Sequence, residues 1–222
     1  MKETVQKILF DYILNADRVQ ASELLENYAM KFSYYNALKD ILEPALLEIG
    51  NKWQKENLAL AHGYIAGKIA EDFLQKAMIS PDFQSTNTIK GNVVIGNIQD
   101  DYHALGRKML GTFLQASGWK VYDLGNDVLP ADFVSKAIET DAKIIGASAM
   151  MYSTALNIQK LRKEIDDRGL KNKIILAVGG AIFNLRPELV KKLGGDITSF
   201  NAIDADIVFT EALLKLKKGE KL

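Results

Sequence analysis

The stretch Lys90–Gly106, K-G-N-V-V-I-G-N-I-Q-D-D-Y-H-A-L-G, decides the fold. It opens as a β-branched apolar run, Val93, Val94, Ile95 and then Ile98, and passes into a polar turn carrying Asp100, Asp101 and His103. From Ala104 to Ala116 the apolar residues Leu105, Met109, Leu110, Phe113 and Leu114 recur at helical spacing. Strand, polar turn and helix in that order place the turn at the carboxyl edge of an open α/β sheet, where such folds bind ligands.

Downstream the same alternation repeats. Strands are predicted at Lys120–Leu124, Lys143–Ser148, Lys173–Val178 and, weakly, Asp196–Phe200. Helices are predicted at Ala131–Glu139, Thr154–Arg168, Pro187–Leu193 and Asp204–Lys217. Five βα units in this length predict a five-stranded, doubly wound parallel sheet of flavodoxin-like (Rossmann-type) order. Right-handed crossovers then bring Asp100–His103, Ser148–Thr154 and Gly179–Gly180 to one edge.

Upstream, residues 2–79 read as helix throughout. Apolar sets lie at Val5, Ile8, Leu9, Tyr12 and Ile13, at Val19, Leu24, Leu25, Tyr28 and Ala29, at Leu38–Ile49, and at Leu60–Leu74. Asp17 is suited to cap the second helix, and Pro44 is expected to kink the third because it removes a backbone donor. Four amphipathic helices with short turns predict a four-helix bundle over residues 1–79. The polar, Pro81-containing segment 80–90 reads as a linker, and 91–222 as the α/β domain.

Composition narrows the function. The chain of 222 residues balances 28 basic against 28 acidic residues, so no basic excess points to nucleic acid. No apolar run is long enough to span a membrane, and the N-terminus lacks the continuous apolar stretch of a signal peptide. Cysteine is absent, which removes thiolate sites and fits a cytoplasmic location. With only His62 and His103, a multi-histidine zinc site is not expected.

In Asp101-x-His103-x-x-Gly106 the imidazole can direct one nitrogen outward while the other donates to Asp101, the arrangement that orients metal-binding imidazoles. A single histidine without companions points to a metal whose other positions are filled by something else, such as a macrocycle. Gly106 permits close backbone approach at the first helical turn. Ser148 ends a buried strand facing the same crevice, and Thr154 is suited to helix capping. For Gly179-Gly180, taken alone, a tight turn explains the pair better than ligand approach does.

The combination of Asp101-x-His103-x-x-Gly106, Ser148-x-Met150 and Gly179-Gly180 resembles the cobalamin-binding signature D-x-H-x-x-G, S-x-L, G-G. Leu42–Trp53, L-E-P-A-L-L-E-I-G-N-K-W, is similar to the L-x-P-A-L-x-x-I-G-x-x-W run of the helical cap preceding that domain. Together the chain resembles the small corrinoid proteins of methyltransferase systems. The resemblance implies cobalamin bound base-off, with His103 as lower cobalt ligand and Asp101 behind it. The nucleotide tail would pass Gly106, with Ser148 near its buried base and Gly179-Gly180 leaving room for it, and Met150 is also among the cofactor-binding residues. It implies Trp53 at the upper face. It further implies a methyl carrier cycling between Co(I) and methyl-Co(III), served by partner methyltransferases and a reductive activator, and not complete as an enzyme alone. Departures are Asp100 for a usual Gly, Ala104 for a frequent Asp, Met150 for Leu, and Gly63-Tyr64 where many caps carry Glu-His. The upper ligand and the alkyl group therefore stay open. Beside a plain flavodoxin-like scaffold with a structural bundle, two other functional readings remain. One is a cobalamin-based sensor, although no basic DNA-binding segment is present. The other is a receiver domain using Asp100-Asp101, although Ser148 stands where such a domain needs an Asp.

Overall fold

The computed structural model describes residues 2–56, 58–81 and 89–220. Contacts concentrate within two compact units, Met1–Gln84 and Ser85–Leu222.

The first unit is helical. It comprises α1 (Lys2–Leu14), α2 (Arg18–Phe32), α3 (Tyr34–Ala37), a π turn at Leu38–Leu42, α4 (Glu43–Glu56) and α5 (Leu60–Met78). Asp17 caps α2 as its sequence position predicts, accepting from the Gln20 amide at 3.1 Å. Pro44 perturbs its helix through the π turn just before it, a form in which a helix absorbs a missing donor. A residue other than proline at 44 would donate to the Asp40 carbonyl, which instead accepts from Gln6 Nε2 at 2.6 Å. Leu9, Ile13, Leu25, Leu38, Ile41, Leu42 and Ile69 are fully buried, and Tyr34 packs on Phe73 with ring centroids 5.3 Å apart. α1 contacts α2, α4 and α5, and α5 also contacts α2 and α4. The segment read as a linker falls largely on 82–88, outside the described residues.

The second unit is a parallel α/β sheet with strand order β2-β1-β3-β4. Its strands are β1 (Gly91–Asn97), β2 (Trp119–Asp123), β3 (Ile144–Ser148) and β4 (Ile175–Gly179). Alternate β1 residues serve opposite faces. Val93 and Ile95 pack with Leu114 of α6 (Ala104–Ala116) and Phe209 of α12 (Ala205–Lys218). Val94 packs with Phe133 of α7 (Pro130–Glu139) and, beyond the short α8 (Tyr152–Ala155), with Ile158 and Leu161 of α9 (Asn157–Asp167). Helices thus cover both faces, as parallel sheets require.

The expected fifth strand is a correction: among the described residues the sheet has four strands, and Asp196–Phe200 contributes one isolated bridge, Ala177↔Ile197. The Asp196 carboxylate takes the Leu176 amide at 2.7 Å, replacing a backbone acceptor, and only Ile197 in Asp196-Ile197-Thr198-Ser199 has an apolar side chain for the core. The long helix expected at Thr154–Arg168 is divided at Leu156 into α8 and α9. A short helix that periodicity did not reveal, α10 (Ala181–Leu185), follows the glycine pair, and the helix expected at Pro187–Leu193 shrinks to α11 (Leu189–Lys192).

Candidate functional site

Parallel register sets Asn97, Ser148 and Gly179 side by side as the last residues of β1, β3 and β4. Immediately beyond that row lies Asp101, fully buried. Its carboxylate accepts five hydrogen bonds. Oδ1 receives Asn97 Nδ2 at 2.9 Å, the His103 amide at 3.0 Å and His103 Nδ1 at 3.3 Å. Oδ2 receives the Met150 amide at 2.7 Å and Thr154 Oγ1 at 2.9 Å. Burial alone would push the carboxyl up. The donors from Met150, His103, Thr154 and Asn97 outweigh it and hold Asp101 below the ordinary carboxylate value. An ionised carboxylate is acceptor-only, so His103 Nδ1 must carry the proton of that pair.

The His103 side chain is 51% exposed, whereas Asp101 is sealed. His103 is the N-cap residue of α6 without any side-chain cap bond, so neither it nor Asp101 serves as an ordinary helix cap. With Nδ1 committed to Asp101, the lone pair of Nε2 is available to a Lewis acid. Among the described residues no group of three His, Cys, Asp or Glu side chains could hold a metal ion.

Behind Asp101 lies a second polar layer. Arg107 is 5% exposed and donates from Nε to Asn97 Oδ1 at 2.7 Å. Its two terminal nitrogens donate to Asp123 Oδ1 and to Asn126 Oδ1. At the rim, Asp100 and Asp127 both adopt positive φ, 68° and 55°. Asp127 accepts from the Asp100 amide at 2.8 Å and from the Tyr102 hydroxyl at 2.7 Å. Those bonds lower the Asp127 carboxyl and raise the Tyr102 phenol.

Asp101, His103 and Met150 come together directly, Met150 through its backbone amide while its side chain is 42% exposed. Ser148 borders them in the strand-end row. Room surrounds Gly106 and Gly179, where an added Cβ would meet nothing within 4 Å. Gly180 is different: at φ 109° an added Cβ would lie 2.1 Å from the Ala149 carbonyl oxygen, so backbone crowding by β3's end requires that glycine. Trp53 belongs to α4, but its side chain lies outside the described part of the structure.

Three participants escaped the sequence reading. Thr154, taken as a helix cap, instead bonds Asp101, and Met151 is the N-cap of α8. Asn97 is a fully buried amide ending an apolar strand. Arg107 shares the buried stripe of α6 with Gly111 and Leu114, at i, i+4 and i+7. A cation on an apolar helical stripe is a signal the sequence does contain.

Residues 91–207 match the family described as B12 binding domain. Trimethylamine corrinoid protein 1 of Methanosarcina acetivorans is 28% identical over 207 residues, 91% of this chain and 94% of that protein. Trimethylamine corrinoid protein 1 of Methanosarcina mazei is 31% identical over 170 residues, 75% of this chain and 77% of that protein. Among solved structures, the monomethylamine corrinoid protein of Methanosarcina barkeri matches with a TM-score of 0.79 and 22% identity, covering 96% of this chain and 100% of that one, a likeness of fold.

Proposed function

The chain belongs to the B12-binding family, and from that premise we propose that it is a corrinoid protein carrying methyl groups between partner methyltransferases. The single observation that carries this reading is the half-exposed His103 ring, with Nδ1 on a buried, five-fold hydrogen-bonded Asp101 and Nε2 uncommitted.

The residues fit a corrin. One imidazole that belongs to no cluster of three or more His, Cys, Asp or Glu side chains among the described residues suits a metal that brings its equatorial donors with it. His103 would then be the lower axial ligand of base-off cobalamin. Cobalamin, when bound, supplies the transfer chemistry itself, its cobalt alternating between the Co(I) and Co(III) levels.

The chain's own contribution is orientation and electrostatics. Asp101 fixes the ring and its tautomer, and its negative charge makes the imidazole a better donor, as outer-shell carboxylates do at metal sites. Met150 and Thr154 keep that charge in place, since without their bonds the buried carboxyl would tend to take up a proton. The open space at Gly106, and at Gly179 beside Ser148, leaves a path for the displaced nucleotide tail, and the family resemblance alone proposes Trp53 for the upper face. Residues 1–79 act as the cap, 80–90 as the linker and 91–222 as the cobalamin domain. A reductive activator completes the system, and the cytoplasm is its place of work. The relatives named for trimethylamine point to methylamine-derived methyl groups as the cargo.

The test is reconstitution with hydroxocobalamin followed by gel filtration and an ultraviolet–visible spectrum. Wild type is expected to elute with a corrin spectrum, and His103→Ala with altered lower-ligand bands or reduced retention. A wild-type protein that elutes colourless sinks the proposal.

A further inference from the structure

We infer that Arg107 is a positioning residue that sets the tautomer of His103 from two side chains away, by locking the amide of Asn97. The inference gives the proposed cobalt ligand a further determinant and rests on that reading for its biological meaning. Its physical content holds for the protein without cofactor.

The geometry runs in one line. Arg107 Nε donates to Asn97 Oδ1 at 2.7 Å, and Asn97 Nδ2 donates to Asp101 Oδ1 at 2.9 Å and to the His103 carbonyl at 3.1 Å. Asp101 Oδ1 then meets His103 Nδ1 at 3.3 Å. A side-chain amide has one accepting end and one donating end, and its orientation follows from its neighbours. Turning Asn97 over would set its NH2 against the guanidinium and its oxygen against a carboxylate and a carbonyl, repulsive on both sides. Arg107 cannot give up its proton, so it never becomes an acceptor that would tolerate the flipped amide.

The lock acts on both ends of the Asp101–His103 turn. One Asn97 proton holds the carboxylate oxygen that receives Nδ1, and the other holds the backbone carbonyl of the histidine itself. Arg107 is in turn kept in place by Asp123 and Asn126, and Asn97 and Arg107 are both shut away from solvent, at 0% and 5% exposure. Water therefore has little access with which to replace the missing donor if the guanidinium is removed. The consequence is specific. With Asn97 locked, Asp101 Oδ1 stays aimed at Nδ1, the proton sits on Nδ1, and Nε2 keeps its lone pair facing outward. Without the guanidinium the buried Asn97 oxygen loses its donor, the amide is held from the Asp101 side alone, and Oδ1 is no longer kept aimed at Nδ1.

The test uses the full chain without cofactor, labelled with nitrogen-15 histidine. It reads long-range proton–nitrogen correlations at about pH 8.5, roughly two units above an ordinary imidazole's value. His103 is assigned by its loss in His103→Ala, His62 serving as the internal reference. Wild type is expected to show the Nδ1–H form. Arg107→Met is expected to lose it for a mixture like that of free imidazole, and Arg107→Lys to regain it in large part. Asp123→Asn, which removes one anchor but leaves the Nε bond, is expected to resemble wild type. Should Arg107→Met fail to fold by circular dichroism, Asn97→Ala stands in for it with the same expected loss. Retention of the Nδ1–H form in Arg107→Met or Asn97→Ala, or its absence from wild type, overturns the inference. Because no cobalamin is present, that result is separate from a failure of the protein to retain a corrin.

Discussion

Replacing Asp101 by Asn changes no atom positions to first order, and yet it is expected to unsettle the fold. Every neighbour of the carboxylate is a donor: three at Oδ1 and two at Oδ2. An amide accepts at one end only. The better orientation keeps its oxygen towards Asn97 and His103 and turns its NH2 onto the Met150 amide and the Thr154 hydroxyl. Thr154 escapes, because its hydroxyl can donate to the Met151 carbonyl at 3.0 Å instead. The Met150 N–H cannot; it loses its carboxylate partner at 2.7 Å and faces another donor. Losing a bond to a charged acceptor and orphaning a buried donor costs about 2–3 kcal/mol, after allowing for the relief of a buried charge. For a chain of this size that corresponds to a fall in melting temperature of roughly 5–10 °C. Thermal unfolding of the cofactor-free protein, followed by circular dichroism, measures it directly. A shift under about 2 °C would refute the picture of an ionised Asp101 serving five donors.

Other expectations follow from the same geometry. Since Asp101 titrates lower folded than unfolded, its contribution to stability is complete above the unfolded carboxylate value of about 3.9 and disappears as pH falls through the lower folded value. Denaturant titrations from pH 6 down to about 2 are therefore expected to show a steeper loss for wild type than for Asp101→Asn. Gly180→Ala meets both a φ of 109° and a contact of 2.1 Å with the Ala149 carbonyl oxygen, so a loss of at least about 3 kcal/mol is expected in chemical denaturation. Gly179→Ala, with nothing within 4 Å, is expected to stay close to wild type in the same assay. Gly106→Ala lies in the first turn of α6 with open space around it, so the cofactor-free protein is expected to gain up to about 0.5–1 kcal/mol from helix propensity. Its retention of corrin through gel filtration is expected to fall, because the new methyl group occupies the room assigned to the cofactor.

Much of the second unit was legible because its signals are local. Val93, Val94 and Ile95 read as a strand, Asp100–His103 as its polar turn, and Ala104–Ala116 as the helix whose bounds the structure reproduces. The four-stranded order β2-β1-β3-β4 is that part of a flavodoxin-like order which strand–helix alternation implies. The weak strand at Asp196–Phe200 failed because a side chain, that of Asp196, took a ladder position, and periodicity counts side chains only as apolar or polar. The break at Leu156 was hidden for a related reason. Thr154 is drawn to Asp101 and Asn157 to the Gln99 carbonyl, tertiary bonds that no helical pattern records. Asp101 and His103 were readable from their spacing of two. Asn97, Arg107 and Thr154 reach the same carboxylate, directly or in series, only once the register has brought β1, α6 and the β3 end together.

The central claim is that His103 Nε2 binds cobalt, and electron paramagnetic resonance of the cob(II)alamin-loaded protein examines it most directly. With unlabelled protein, one axial nitrogen-14 is expected to split each parallel cobalt line in three. With nitrogen-15 histidine the splitting is expected to become two-fold, and in His103→Ala the histidine pattern is expected to vanish. Persistence of the three-fold splitting in the labelled protein would assign the ligand to the cofactor's own base and contradict the account.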